Sequence, residues 1–151
     1  MNILIAYYSH TGTTRRAAEA IQAAVGGELF EIQEQDPYSR VYSEVIRRAE
    51  QEVRFSLKPP LRGAMPDIAA YDVIFIGSPN WCSTIAPPVA TFLDMLNFNG
   101  KQLIPFVTHG SGGLAHMVAD IRALCPTAAV DEGIDANKTA DIAPRVRAML
   151  A

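Results

Sequence analysis

The chain of 151 residues is short of several things that would define its class at once. It has only two cysteines, Cys82 and Cys125, far apart and at no metal-ligand spacing, which argues against a disulfide-built secreted domain and for a reduced, cytoplasmic one. Long apolar runs are missing too. The opening MNILIAYY is too short to span a bilayer and carries neither a basic flank nor a cleavage site, so a soluble, unprocessed chain is expected, with no membrane as partner. Charge of one sign is also lacking: 13 Lys and Arg against 16 Asp and Glu leave a net charge of −3, too mild to advertise nucleic acid. No repeat, low-complexity tract or linker divides the sequence. Residues 1–151 are therefore expected to form a single domain, of a size that buries about 70% of its unfolded surface.

What the sequence does have is alternation. Residues 3–8, 73–76 and 103–107 are nearly continuous apolar runs of strand length, as expected where both faces of a parallel sheet are covered. The more mixed stretches 28–33 and 128–134 read as edge strands. Between them lie helical stripes: Ala17, Ile21, Ala24 and Val25, closed by Gly26 and Gly27; Val89, Phe92, Leu93 and Leu96, opened by Pro87 and Pro88; and Leu114, Met117, Val118, Ile121 and Leu124. Asp141 is placed to cap a last helix running through Leu150. Strand and helix alternating in this way predict a doubly wound α/β fold, a five-stranded parallel sheet of order 2-1-3-4-5 with helices on both faces. Pro105 offends this pattern, since an interior strand should not lose a ladder donor; it belongs at an edge or a bulge. Residues 36–72 make an unusually long connection, in which Tyr38, Tyr42, Val45, Ile46, Ala49 and Val53 have helical spacing. It reads as a crossover helix with a surface strap, or as a lid.

The polar turns SHTGTT, GSPNWCST and THGSGG all leave the carboxyl edge of this sheet, where open α/β sheets bind ligands beside the reversal of strand order. The first supplies hydroxyls from Ser9, Thr11, Thr13 and Thr14, a flexible Gly12 and the free amides that open a helix. These favour an anion, the helix dipole alone contributing roughly 0.3–1 kcal/mol, or about 2 when partly buried. An ordinary N-cap turn would use the same residues. The fingerprints G-x-G-x-x-G and Gly-Lys-Ser/Thr are both absent, which removes support for a Rossmann dinucleotide site or a Walker loop. Phosphotransfer to aspartate would need acidic residues where Ser9-His10 and Gly77-Ser78 stand. Ser9 and Arg15 match the C-x5-R spacing of a phosphatase, but a serine without a basic partner is a poor substitute for a thiolate. No catalytic residue is assigned on these grounds. His109 and His116 have no carboxylate or cysteine at metal-ligand spacing, and no metal site is expected.

The segments ILIAYYSHTGTTRRAAEAI, YDVIFIGSPNWCSTIAPPVATFL and LIPFVTHGSGG, in this order, resemble the flavodoxin family over nearly the whole chain, in the bacterial flavodoxin-like branch with an extended segment before strand 3. The resemblance implies noncovalent FMN. Its phosphate would be held by Ser9, His10, Thr11, Gly12, Thr13 and Thr14. Its isoalloxazine would be flanked by Pro79, Asn80, Trp81, Cys82 and Ser83 and by Thr108, His109, Gly110, Ser111, Gly112 and Gly113. Arg15 and Arg16, past the turn, read as solvated helix residues. Trp81, the only tryptophan, stands in an apparent loop beside a proline, where stacking on a flavin suits it better than a core role. Glycines 110, 112 and 113 would let backbone amides approach the pyrimidine edge.

Two departures bear on function. Branch members often carry Trp-Trp where this chain has Trp81-Cys82, and the third turn offers no second aromatic, so one ring face is expected to be open. Cys82 is expected simply to pack. The three turns contain no Asp or Glu, which should leave fully reduced flavin less repelled than in strongly acidic carriers. The expected function is FMN-dependent electron transfer, as a carrier between protein partners or as a small reductase that takes hydride from NAD(P)H to a quinone-like acceptor. A flavin-binding sensory module is the alternative.

Overall fold

The computed structural model describes all residues 1–151. Its strands are β1 (Ile3–Tyr7), β2 (Glu28–Glu31), β3 (Val73–Trp81), β4 (Thr84–Ile85), β5 (Gln102–Thr108), β6 (Ala129–Val130) and β7 (Ile134–Asp135). The helices are α1 (Thr13–Val25), α2 (Tyr42–Arg54), α3 (Pro87–Met95), α4 (Met117–Leu124) and α5 (Ile142–Leu150). The order β2-β1-β3-β5-β6 gives a flavodoxin-like α/β arrangement with parallel pairing along the path. Side chains alternate across it. Leu4, Ala6 and Tyr8 enter a core of 22 buried residues shared with α2, α3 and α4, whereas Ile3, Ile5 and Tyr7 enter one of 14 shared with α1 and α5. Both faces are thereby covered, which explains why the central strands read as unbroken apolar runs.

The sheet has seven strands, not the expected five. The expected strand over 128–134 is cut into β6 and β7, which both pair with β5 and are separated by a turn at Gly133. Gly133 has a φ of 91°, and a Cβ there would lie 2.7 Å from a Leu114 methyl and 3.0 Å from a Val118 methyl of α4, so the position suits glycine. The same break resolves Pro105. The carbonyls of Leu103 and Val107 accept from the amides of Asp131 and Ala136, so alternate residues of β5 turn their polar groups toward this edge. Pro105, between them, faces the gap between β6 and β7, where no ladder acceptor goes unserved.

The second departure is at GSPNWCST. Alternation and β propensity carry β3 as far as Trp81, and the chain returns through a two-residue turn into β4, with Trp81 opposite Thr84. Both turn residues, Cys82 and Ser83, have positive φ, of 57° and 65°. That is the backbone of a type I′ hairpin turn, built without the Asn-Gly that usually signals one. Ser78 secures the hairpin, its Oγ accepting from the Ala86 amide at 2.9 Å.

The long connection is a crossover helix with a strap. Residues 33–35 and 60–62 run antiparallel, with Gln35 N donating to the Pro60 carbonyl and Arg62 N to that of Gln33. Thr91 of α3 holds the Pro59 carbonyl at 2.8 Å. The last helix begins after Asp141 as expected, but the Asp141 side chain makes no capping bond, since a short 3₁₀ turn over Thr139–Asp141 leads the chain in. No helix is long and apolar enough to cross a membrane.

Candidate functional site

The turn after β1 is shaped by Gly12, whose φ of 98° puts it in the left-handed region at the N-cap of α1. Ser9 sets this shape from within: its Oγ accepts from the amides of Gly12 and Arg15 at 3.0 and 3.2 Å. The amides of Thr11, Thr13 and Thr14 find no acceptor among the turn and side-chain hydrogen bonds. They are the unpaired donors of a helix N-terminus, at the positive end of its dipole. Thr14 is buried and shares a 2.8 Å hydrogen bond with Thr108 at the end of β5, which fixes the first turn to the third. The two arginines part company. Arg15 turns to Glu31 and its charge is paired there, which raises its pKa. Arg16 is an exposed residue of α1, as expected, and reaches back to the turn, Nη2 donating to Thr13 Oγ1 at 3.3 Å.

These groups open into a cleft of about 310 Å³ at the carboxyl ends of β1, β3 and β5. His10, Thr11, Thr13 and Thr14 line it from the first turn, Pro79, Asn80 and Trp81 from the second segment, and Thr108, His109 and Gly110 from the third. Of the other sequence-predicted residues, Ser9, Gly12, Cys82, Ser83, Ser111, Gly112 and Gly113 do not line it. Gly113 and Gly112 instead sit behind Asn80, whose Nδ2 donates to the Gly113 carbonyl at 2.9 Å and leaves only 3.0 Å for a Cβ at Gly112. Asn80 thereby ties the second segment to the third.

Trp81 is not a loop residue. It ends β3, is 9% exposed, and has Tyr38, Tyr8 and His10 edge-on at 5.0, 5.6 and 5.7 Å. A strand terminus at the cleft floor lets it both pack in the core and border the cleft. Cys82, by contrast, stands exposed in the turn and does not pack; partial burial of its thiol and then Glu50 raise its pKa. Cys125 is buried, and burial pushes its thiol up to about 11.

Sequence reasoning missed two contributions. Tyr42 and Val45 of α2 also line the cleft, and Tyr42 is 76% exposed, a large aromatic held out of the core. Its helical spacing was legible, but spacing alone could not show that α2 begins at the cleft. The other is Asp135, whose Oδ2 lies 2.8 Å from His109 Nε2. Asn137 grips the His109 backbone on both sides, accepting from its amide at 2.8 Å and donating to its carbonyl at 2.7 Å. Partial burial would raise the Asp135 pKa, but the hydrogen bonds from His109 and the Asn137 amide outweigh it and the net shift is down. His109 Nδ1 is buried with no partner. No group of three or more His, Cys, Asp or Glu is placed to hold a metal.

A turn of free amides, set beside an aromatic floor at the strand-order reversal of a parallel sheet, has the donors and the shape that a planar ligand carrying an anionic group would need. The chain belongs to the flavodoxin family, whose sequence profile matches residues 2–144. It is similar to the solved structure of a candidate flavoprotein from Bacteroides eggerthii, at 30% identity over 99% of this chain and 98% of that one, with a TM-score of 0.89. A flavoprotein from Lactobacillus acidophilus, solved in complex with FMN, is 26% identical over 88% and 91% of the two chains, with a TM-score of 0.78. Oxidised flavodoxin 2 from Bacillus cereus, 18% identical over 99% and 98% of the chains with a TM-score of 0.62, shares the fold. No curated protein matches the sequence.

Proposed function

We propose that the cleft binds FMN and that the protein transfers electrons through it. The observation that carries this reading is the set of unpaired amides at Thr11, Thr13 and Thr14, opening into the same cleft as Trp81. A dianionic phosphate satisfies those donors without burying an unpaired charge. The residues fit the rest of the group as well. Pro79, Asn80 and Trp81 border a slot for the ring, and the third turn offers Gly110, where no atom lies within 4 Å of a would-be Cβ. The family and the FMN-bound relative from Lactobacillus acidophilus support the same assignment. Bound FMN would supply one- and two-electron redox chemistry; this chain seats its phosphate and flanks its ring.

Between a carrier and a reductase, Tyr42 favours the carrier. The open ring face expected from the third turn has a candidate cover in this exposed tyrosine, contributed by α2. A covered ring exchanges electrons at its edge with a partner protein and leaves no face for hydride from NAD(P)H or for a quinone. The test has two parts. Equilibrium dialysis should show uptake of about one FMN per chain, and absence of uptake overturns the proposal. Steady-state oxidation of NAD(P)H with a quinone should then be negligible in the loaded protein, and sustained turnover would move the assignment to reductase.

A further inference from the structure

Behind Trp81 on the cleft floor lies a buried cluster whose other members do not line the cleft. Tyr8, Tyr38 and Trp81 are all at least nine-tenths hidden, and among them is Glu52, a carboxylate only 8% exposed. Glu52 is fully engaged. The Tyr38 hydroxyl donates to its Oε1, and Arg48 Nε approaches Oε2 at 3.4 Å. Arg48 is itself fixed, with its guanidinium 3.8 Å from the Tyr38 ring centre and Nη1 donating to the Asp36 carbonyl at 2.7 Å. A surface ion pair would have served to pin α2 without burying a charge, so the burial of Glu52 asks for a further account.

Electron chemistry provides one. The Trp81 indole borders the cleft, and the nearest aromatic ring behind it is the Tyr38 phenol, with ring centres 5.0 Å apart. A phenol gives up an electron readily only if its proton leaves at the same time, because the oxidised phenol is a very strong acid. Tyr38 has a base in place for that proton. Burial and the hydrogen bond to Glu52 hold its pKa far above the ordinary tyrosine value, so it starts as the neutral phenol. Tyr8 is also in contact with Trp81, at 5.6 Å, but it faces Glu34 without a well-formed hydrogen bond, and Glu34 Oε2 is left unpartnered.

We infer that Trp81, Tyr38 and Glu52 form a one-electron relay under the cleft: an electron lost from the Trp81 indole is replaced from the Tyr38 phenol, whose proton passes to Glu52. The books balance within the chain. Trp81, oxidised to the radical cation with its ring N–H kept, returns to neutral indole, Tyr38 is left as the neutral phenoxyl, and Glu52 as the carboxylic acid. The first electron would go to a one-electron oxidant at the cleft; a light-excited flavin ring bound there would be one, and this source rests on the proposed function. The transfer among the three side chains does not. Its effect is to move an oxidising equivalent off the cleft floor and into the strap.

Pulse radiolysis tests it, with azide radicals oxidising the single tryptophan of the full chain without added flavin. The tryptophan radical-cation absorbance should convert to phenoxyl absorbance in a phase independent of protein concentration. Tyr38→Phe, nearly isosteric, should abolish that phase, and Tyr8→Phe should retain it. Transfer should slow in D2O and in Glu52→Gln, the solvent effect needing no variant. Absence of a concentration-independent phase in the wild type, or an undiminished one in Tyr38→Phe, overturns the relay. Flash excitation of FMN-loaded protein should show the same sequence of radicals. If FMN fails to bind while azide still drives the transfer, the cofactor assignment falls and the relay stands. If FMN binds and no transfer follows either oxidant, the reverse holds.

Discussion

At the scale of single residues, the phosphate turn makes the sharpest demand. Thr13 stands partly exposed among the free amides, so Thr13→Asp sets a carboxylate against the phosphate with little harm to the fold. FMN affinity should fall by roughly tenfold or more, ~1.4 kcal/mol, while riboflavin, which lacks the phosphate, should bind unchanged; parallel dialysis of the two ligands measures this. Thr14 is the wrong position for such a test, because it is buried against Thr108 and an aspartate there would damage the turn itself. Asp135 gives a pH prediction. Its folded pKa lies below the ordinary carboxylate value, so its contribution to stability is complete above that value and is lost as pH falls through the depressed one. Urea midpoints of wild type and Asp135→Asn should therefore differ at neutral pH and converge in acid. The identity of the turn residues was legible from the sequence, because hydroxyls, glycine and a following helix are local signals. Asp135 was not, since nothing local relates it to His109, 26 positions away.

At the scale of elements, the hairpin between β3 and β4 holds the lesson about legibility. Cys82 and Ser83 carry none of the glycine or asparagine that marks a turn with positive φ, so the segment read as loop and its tryptophan as a loop residue. The hydrophobic runs that mark β1, β3 and β5 were clear because a doubly covered sheet demands them. β6 and β7 were blurred because a strand of two residues has no period. Strain in the turn is measurable. Replacing Cys82-Ser83 by Asn-Gly should stabilise the protein by about 1 kcal/mol, seen as a higher urea midpoint at unchanged slope.

At the scale of the whole molecule, charge distribution governs the redox behaviour that the proposed cofactor would show. No Asp or Glu lines the cleft, and the net charge is only −3. Adding the last electron to bound flavin should meet little repulsion, so the corresponding potential should be less negative than in strongly acidic carriers. Gly110→Asp supplies the missing charge at a position with open space for a side chain. Anaerobic potentiometry should then find that potential displaced to more negative values, with the shift shrinking at high salt.

The divided border of the sheet has a consequence outside any single chain. A neighbouring molecule that tried to extend the ladder past β5 would meet two fragments of two residues each, interrupted at Gly133, and could form no continuous row of bonds. The fold thus stops its own growth at this margin, and a crowded solution offers the protein few routes to edge-to-edge aggregation on that side.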